Sequence, residues 1–332
     1  MKRALWLILA IVAAIGIPLA LGGKELFGRL LDFPPHLLLG MFAMILLCWV
    51  INSTRTRLLL GDQARNVGPV RCLGLVMATE FAYCATPGGS GAPLTFMALL
   101  RRHGIHPARA GAVFAMDQIN DLLFFLCALI GVLCYALLHH LSEHMRGLLV
   151  SSAVLIVAAL VGCGFLARYH RRMLSLSGKL LAKLRVRHAT RWRWARRTLH
   201  FSAQLADTLR QPKRRLLLAF VLTCIHWSLR YSVLYITLIG LGAELDWAWS
   251  FLVQMLALCA GQFSLLPGGA GAAELTSAAL LAPMVGKGTA AAAIVIWRIV
   301  TFYFYLIAGG PLFLLLVGKP LLKRLLRWRQ DS

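Results

Sequence analysis

A short motif rich in glycine occurs twice in this chain, and it constrains the fold more than any other feature. Both copies follow the pattern P-G-G-x-G-A, one starting at Pro87 and the other 180 residues later at Pro267, and each interrupts a long apolar run. Proline removes a backbone donor and clashes with the preceding helical turn, while glycine readily adopts positive φ. The motif therefore predicts two helix breaks, formed by Pro87, Gly88 and Gly89 and by Pro267, Gly268 and Gly269.

The composition places both breaks in a membrane protein. Of the 332 residues, 59% are hydrophobic and 14% are charged, whereas soluble domains are about half apolar and about a quarter charged. The sequence thus predicts an all-α polytopic membrane protein. Irregular backbone at membrane depth is tolerated only where it is buried in protein or lines a wet cavity. We therefore expect the breaks to be the tips of two helical hairpins that meet around one site.

The charge distribution predicts topology and partners. The formal net charge is +23, from 35 Lys and Arg against 12 Asp and Glu. Such a balance is typical of nucleic-acid-binding proteins, but here the basic residues lie in loops between apolar runs, so we expect anionic membrane lipids as partners and no nucleic acid. The positive-inside rule makes the clusters at 55–71, 101–109 and 168–215 cytoplasmic. This predicts a multi-pass protein of the bacterial cytoplasmic (inner) membrane with both termini inside.

The offset between the breaks also relates the apolar runs that flank them. His36 corresponds to Leu216 and Ala110 to Ala290, and the loop charges make matched runs cross in opposite directions. This pattern is typical of an inverted-topology repeat with a site near the membrane midplane. The stretch from Ala92 to Leu100 covers only about 14 Å as a helix, so we expect re-entrant hairpins. Fully spanning helices are the alternative, because they give the same parity of crossings.

The repeat divides the chain into five segments. They are an N-terminal transmembrane helix (1–35), the first repeat (36–167), a basic cytoplasmic amphipathic linker (168–215), the second repeat (216–310) and a basic cytoplasmic tail (311–332). We expect further irregular backbone in the basic loop from Asn52 to Arg71, in the loop from Pro283 to Gly288, and at a break from Gly309 to Pro311. The cysteines lie mostly inside apolar runs without a C-x-x-C pair, which indicates small buried side chains rather than disulfides or a metal site.

Four pieces of the sequence resemble one known family. They are the first break with its following helix, D-Q-x-x-D from Asp117 to Asp121, L-P-G-G-x-G-x-x-E from Leu266 to Glu274, and W-R-x-x-T-x-Y from Trp297 to Tyr303. At these residues the chain resembles the lysylphosphatidylglycerol synthase transmembrane family, over roughly residues 36–310. The resemblance implies a flippase-like domain that translocates anionic phospholipids or polyprenyl-phosphate-linked lipids.

The first half departs from the pattern of that family at two positions. Leu94 stands where many members place an acid after the first break, and Gln118 replaces the usual arginine. The first half therefore lacks charges that relatives use. We also expect no synthase reaction, because no aminoacyl-transferring domain follows residue 310 in this sequence.

Glu274 and Arg298 are the strongest candidates for a substrate site. Glu274 falls in the first turn of the helix after the second break, where the helix dipole favours an anion. Arg298 falls nine residues into its span, and a central arginine costs at least ~2.5 kcal/mol unless it finds a partner. Its planar guanidinium matches phosphate oxygens. We expect Arg298 to bind a lipid phosphate, with a structural ion pair to Glu274 as the alternative.

The candidate substrate-binding set also includes five further side chains and the six residues of the two breaks, Pro87, Gly88, Gly89, Pro267, Gly268 and Gly269. Asp117 and Asp121 are four residues apart and share one helix face, where they form either a proton or cation site or the counter-charge for intramembrane arginines. Glu80 precedes the first break and is expected to line the pathway. The set also includes Arg230 in the middle of its span, and Tyr303 from the last motif.

The sequence predicts a lipid flippase or transporter rather than an enzyme, with no cofactor and no metal. One alternative is an integral-membrane enzyme that modifies a lipid headgroup through Asp117, Asp121 and Glu274. The absence of H-E-x-x-H, G-x-S-x-G and P-loop patterns weighs against it. The other alternative is a non-transporting partner of a soluble or membrane lipid-modifying enzyme, recruited through the basic linker. The sequence makes no prediction of the oligomeric state.

Overall fold

The computed structural model describes residues 16–23, 25–138, 188–264 and 266–318, together with residue 12 and isolated positions between 147 and 165. The described residues leave out most of the predicted N-terminal span, most of the run from 147 to 167, the linker from 168 to 187 and the tail beyond 318. The division into five segments therefore stays a prediction. In chain order the helices are α1 (Glu25–Leu31), α2 (Pro35–Leu60), α3 (Pro69–Cys84), α4 (Gly91–Arg102), α5 (Pro107–Leu138), α6 (His188–Leu209), α7 (Lys213–Gly240), α8 (Trp247–Gln262), α9 (Ala272–Val285), α10 (Lys287–Arg298) and α11 (Phe304–Phe313).

The chain forms two compact units. One comprises residues 1–107 and 214–332, and the other comprises residues 108–213. The first unit therefore holds both helix breaks, and the second holds nearly all of α5 together with α6. Within the described part of the chain, four helical stretches are long and apolar enough to cross a membrane: Pro35–Asn66, Pro107–Tyr135, Lys213–Gly240 and Lys287–Gly318. The predicted all-α polytopic membrane fold is confirmed.

Proline and glycine set several helix ends. Pro35 and Pro69 begin α2 and α3, a position where the missing proline N–H costs nothing. Gly61 ends α2 with φ of +62°, and Gly286 separates α9 from α10 with φ of +81°. Because glycine adopts these left-handed conformations without steric cost, the chain reverses between α9 and α10 with almost no loop.

Three predictions of irregular backbone were wrong. The residues Asn52 to Leu60 continue α2, and Arg55, which was expected in a cytoplasmic loop, is only 2% exposed. Pro283 lies inside α9, so the expected loop shrinks to a turn at Gly286. The stretch from Gly309 to Pro311 lies inside α11 instead of breaking it.

Close helix packing explains Gly309 in α11. A Cβ atom at Gly309 would lie 2.7 Å from the carbonyl oxygen of Met77 in α3, so only glycine permits this approach of the two helices. Pro311 removes one backbone donor, and π-helical segments at 299–303 and 314–318 flank α11. Such local π turns re-satisfy backbone groups that a proline leaves free in membrane helices.

The pairing of α2 with α7 shows how the two repeats are related. Hydrogen bonds join Met41 to Thr237, Cys48 to His226 and Arg55 to Thr223. Residue numbers rise along α2 while they fall along α7, so these matched helices are antiparallel. Cys48 Sγ donates to the carbonyl of His226 at 3.6 Å, and His226 Nδ1 lies 3.2 Å from the carbonyl of Cys48.

The two breaks meet in a contact between matched residues. Pro87 and Pro267 form a single antiparallel β-bridge. In each turn the second glycine donates its N–H to the carbonyl three residues earlier, at 3.2 Å. The glycines that follow the prolines all have positive φ: Gly88 (+55°), Gly89 (+66°), Gly268 (+64°) and Gly269 (+68°). The predicted inverted repeat of two broken-helix hairpins, with tips that meet, is confirmed.

Candidate functional site

A buried ion pair lies at the second break. Arg298, the last residue of α10, places Nε 2.7 Å from Oε1 of Glu274 in the first turn of α9, and the two side chains are 3% and 0% exposed. Glu274 Oε2 also accepts the backbone N–H of Gly271 at 2.8 Å. Arg298 Nη1 donates to the carbonyl of Gly268 at 3.3 Å. The pair thereby satisfies backbone groups that the helix break leaves open.

This ion pair is the alternative that the sequence left open for Arg298, and it uses only part of the guanidinium. Arg298 Nη2 is buried without a hydrogen-bond partner in the described part of the chain, and so are the hydroxyl groups of Ser277 and Tyr303. The rings of Trp297 and Phe302 lie 5.1 and 5.3 Å from Arg298 Cζ. Buried polar groups normally find partners, so the leftover donor of Arg298 indicates room for a further acceptor.

Glycine is required at the second break for steric reasons. A Cβ atom at Gly268 would lie 2.0 Å from the ring of Phe302, and one at Gly269 would lie 2.7 Å from Cα of Gly261 in α8. No side chain fits at either position. The backbone of the break consequently packs directly against its neighbours, and the carbonyl of Gly268 comes within reach of Arg298.

One small cavity in the first unit brings two candidate arginines together. Its lining includes Arg298 and Gly268 at the second break, Arg230 of α7, Tyr83 of α3 and Gln254 of α8. Its volume is about 30 Å³, which is room for one or two water molecules. Two guanidinium groups that line one small space can offer charge-assisted hydrogen bonds to an anion.

Arg230 is held less tightly than Arg298. Its Nη1 lies 3.8 Å from Oε2 of Glu80 in α3, and the side chains are 12% and 17% exposed. This separation is an ion contact but too long for a hydrogen bond. The rings of Tyr305 and Trp227 lie 5.0 and 5.4 Å from Arg230 Cζ and hold the guanidinium by cation–π interactions. Glu80 Oε1 accepts the side-chain amide of Asn52 at 3.3 Å.

Sequence reasoning missed three polar residues that support the cavity. Asn52 binds Glu80 and also accepts Arg55 Nη2 at 3.3 Å. Gln254, which is 1% exposed, donates to the backbone carbonyl of Tyr231. Tyr83 accepts a hydrogen bond from Gln262 of the other hairpin. The signal was present, because isolated amide side chains inside apolar runs mark interior polar contacts in membrane helices.

The two candidate aspartates lie in the second unit. Asp117 and Asp121 belong to α5, an uninterrupted helix from Pro107 to Leu138, so their spacing places them on one face as predicted. Gln118 donates to Asp121 Oδ2 at 3.2 Å. Their role as a proton or cation site, or as a counter-charge, stays a prediction. The described ion partners of the two cavity arginines are Glu274 for Arg298 and Glu80 for Arg230.

The sequence matches the family that these motifs resemble. The family model of the lysylphosphatidylglycerol synthase TM region matches residues 5–309, which include both breaks, Glu274 and Arg298. The chain belongs to this family. Membership of the lysylphosphatidylglycerol synthase TM family establishes a multi-pass membrane protein with a lipid-related role.

Two relatives share most of their length with this family member. A UPF0104 membrane protein of Archaeoglobus fulgidus is 21% identical over 287 residues, which cover 82% of this chain and 84% of the relative. A UPF0104 membrane protein of Pyrococcus horikoshii is 24% identical over 301 residues, with the same 82% and 84% coverage. The chain is therefore similar to membrane proteins of about its own extent.

Proposed function

We propose that this protein is a lipid flippase that moves an anionic phospholipid, or a polyprenyl-phosphate-linked lipid, across the bacterial cytoplasmic membrane. One observation carries the proposal: Arg298 and Arg230 line the same buried cavity beside the second of the two joined helix breaks. A charged headgroup does not cross ~30 Å of hydrocarbon unaided. A cavity with fixed cations replaces part of the hydration that an anion loses, while the acyl chains remain in lipid.

The headgroup phosphate would bind between the two guanidinium groups. Among the described residues, Arg298 Nη2 has no hydrogen-bond partner, and the ion contact between Arg230 and Glu80 is long, at 3.8 Å. Planar guanidinium groups bind phosphate oxygens bidentately. The cavity of about 30 Å³ is smaller than any lipid headgroup, so the described arrangement corresponds to a closed state that opens when a headgroup enters.

The two hairpins would supply the entrances. Their arms have 16 and 12 residues in the first hairpin and 16 and 14 in the second, fewer than the ~20 that span a bilayer. In the proposed arrangement the first hairpin re-enters from the cytoplasm and the second from outside, with both termini cytoplasmic. Movement of one tip would then open the cavity to one leaflet, as in other inverted repeats.

A double neutral variant separates binding from structure. Glu274→Gln alone leaves a buried arginine without its counter-ion, whereas Glu274→Gln combined with Arg298→Gln removes the pair without an orphaned charge. In vesicles containing the purified full chain and a fluorescent phosphatidylglycerol, we expect the wild type to speed up lipid exchange between leaflets. We expect the folded double variant to lose this activity.

The control removes an arginine charge outside the cavity. Arg101→Gln changes an exposed arginine of α4 and should transport like the wild type. Undiminished transport by the double variant would show that the pair of Glu274 and Arg298 is only structural. It would contradict the proposed phosphate-binding site.

Mass spectrometry of the vesicle lipids decides between the proposal and its alternatives. Lipid movement without chemical change supports the flippase. A new lipid product would instead indicate an enzyme that modifies headgroups. If the wild-type protein neither moves nor modifies the lipid, the remaining alternative is a non-transporting partner. Pull-down with a lipid-modifying enzyme would then be the decisive measurement.

A further inference from the structure

We propose that Glu80 takes up a proton when the cavity binds a lipid phosphate, so that lipid movement is coupled to protons. This inference rests on the proposed flippase function and adds its coupling ion. The carrying observation is the contrast between the two ion pairs at the cavity: 2.7 Å between Arg298 and Glu274, but 3.8 Å between Arg230 and Glu80.

The charge balance of the two ion pairs favours a compensating cation when an anion binds. The two arginines that line the cavity are each paired with a carboxylate, so these four groups together carry no net charge before a lipid enters. A phosphodiester brings one negative charge into a buried site, where an unbalanced charge is costly. A proton on one of the carboxylates restores neutrality, at one proton for each phosphodiester.

The geometry selects Glu80 rather than Glu274 as the proton acceptor. Glu274 is fully buried, lies 2.7 Å from Arg298 Nε and accepts the N–H of Gly271 at 2.8 Å. Protonation there would break the contacts that close the second break. Glu80 is 17% exposed, lies 3.8 Å from Arg230 and accepts a longer hydrogen bond from Asn52 at 3.3 Å, so neutralisation costs it less.

Protonation of Glu80 also frees Arg230 for the substrate. The neutral carboxyl no longer competes with the phosphate for the guanidinium, which the rings of Tyr305 and Trp227 keep in place. The proton binds to a carboxylate oxygen of Glu80 from water on the loading side and returns to water on the other side when the lipid leaves. No bond of the lipid forms or breaks in this cycle.

Other titratable groups surround Glu80, but few change charge near neutral pH. The titratable and charged groups that interact with it or with its partners are Cys48 and Arg55 of α2, Tyr83 and Cys84 of α3, His226 and Arg230 of α7, Arg298 of α10 and Tyr305 of α11. Thiols, phenols and arginines ordinarily titrate above about pH 8. A histidine ordinarily titrates near pH ~6.5, so the test must separate Glu80 from His226.

The pH dependence of lipid binding separates the contribution of Glu80 from that of His226. Dihexanoyl-phosphatidylglycerol, whose phosphodiester stays anionic throughout, is titrated into the purified full chain in detergent between about pH 5 and about pH 8, followed by calorimetry. With one linked proton, we expect the wild-type affinity to fall about tenfold per pH unit once Glu80 is ionised. Glu80→Gln mimics the protonated acid, so its affinity should stay constant over this range.

Two control variants keep a carboxylate at the tested position or remove one elsewhere. Glu80→Asp and Glu244→Gln, the latter an exposed loop acid, should both keep the wild-type slope. A slope that persists in Glu80→Gln, or a wild-type affinity independent of pH, would overturn the proton coupling while the flippase proposal stands. A wild type that neither binds nor moves the lipid would overturn both.

A measurement on the wild type alone tests the proposal even if the Glu80→Gln variant does not fold. In weakly buffered detergent, addition of the lipid should take up about one proton for each lipid bound, detected with a soluble pH indicator. Binding without proton uptake would contradict the proposal.

Discussion

Arg298 Nε lies 2.7 Å from Glu274 Oε1, with both side chains buried. The contact joins the end of α10 to the first turn of α9, so one ion pair ties the helix that leaves the second break to the next span. Arg230 and Glu80 at the same cavity are 3.8 Å apart. The two pairs therefore differ in geometry: the first is a close contact at the second break, and the second is a longer one.

Removal of one member of the tight pair should destabilise the protein strongly. Glu274→Gln leaves Arg298 buried without a counter-ion, which costs about 3–5 kcal/mol of the free energy of unfolding. Adding Arg298→Gln removes the uncompensated charge and should recover most of that loss. Denaturant unfolding in mixed micelles measures both variants, and equal destabilisation of the single and double variants would contradict this account.

Alanine at the second break should be poorly tolerated. Gly268→Ala combines an unfavourable φ of +64° with a Cβ only 2.0 Å from the ring of Phe302, and we expect a loss of about 1–3 kcal/mol. Gly131→Ala in α5, where a Cβ meets nothing within 4 Å, is the matched control and should be nearly neutral. Combining Gly268→Ala with Phe302→Ala relieves the clash but not the backbone strain, so it should not restore the Tm.

The neighbouring glycines of α11 should respond differently to the same change. Gly309→Ala places a Cβ 2.7 Å from the carbonyl of Met77, whereas Gly310→Ala places it 3.4 Å from the ring of Phe81. The first change forces α11 away from α3, and we expect it to lower Tm clearly, since overpacking costs about 1–3 kcal/mol. The second should have little effect, and equal Tm values for the two variants would show that this helix contact is not tight.

A cross-link between the tips should stop transport if the proposed opening is correct. Pro87 and Pro267 are paired across an antiparallel bridge, where Cα atoms lie about 4.5–5.5 Å apart, within the range that a disulfide spans. In a variant without its native cysteines, Pro87→Cys with Pro267→Cys should oxidise readily, lose lipid exchange and regain it on reduction. Each single-cysteine variant is the control, and full activity of the oxidised double variant would show that the tips need not separate.

The sequence predicted the large features of the fold because they follow from local chemistry. Proline and three nearby glycines cannot continue a helix wherever they occur, so the breaks at Pro87 and Pro267 were predicted correctly. Their shared offset with the flanking runs predicted the inverted repeat. Composition alone was sufficient for the membrane class, because typical soluble domains are about half apolar and about a quarter charged.

Local reasoning failed where a neighbouring helix changed the meaning of a residue. Gly309, Gly310 and Pro311 form the same kind of pattern as the true breaks, yet they lie inside α11. Glycine is needed at 309 because the backbone of α3 approaches α11 closely there. Asn52 and Arg55 were expected in a basic loop, but they lie in α2. There Arg55 binds Thr223 of α7, and Asn52 binds Glu80. A local residue pattern does not indicate which helix will pack against it.

By itself, the sequence determined that this chain is a membrane protein of two inverted halves with a helix break in each, since those properties depend on backbone sterics and on summed hydropathy. Only the tertiary structure decided which charges pair. Glu274 and Arg298 are 24 residues apart, and Glu80 and Arg230 are 150 apart, so no spacing rule links either pair. Their separations of 2.7 and 3.8 Å arise because packed helices bring distant residues into one low-dielectric cavity, where each buried charge takes whichever partner the fold places within reach.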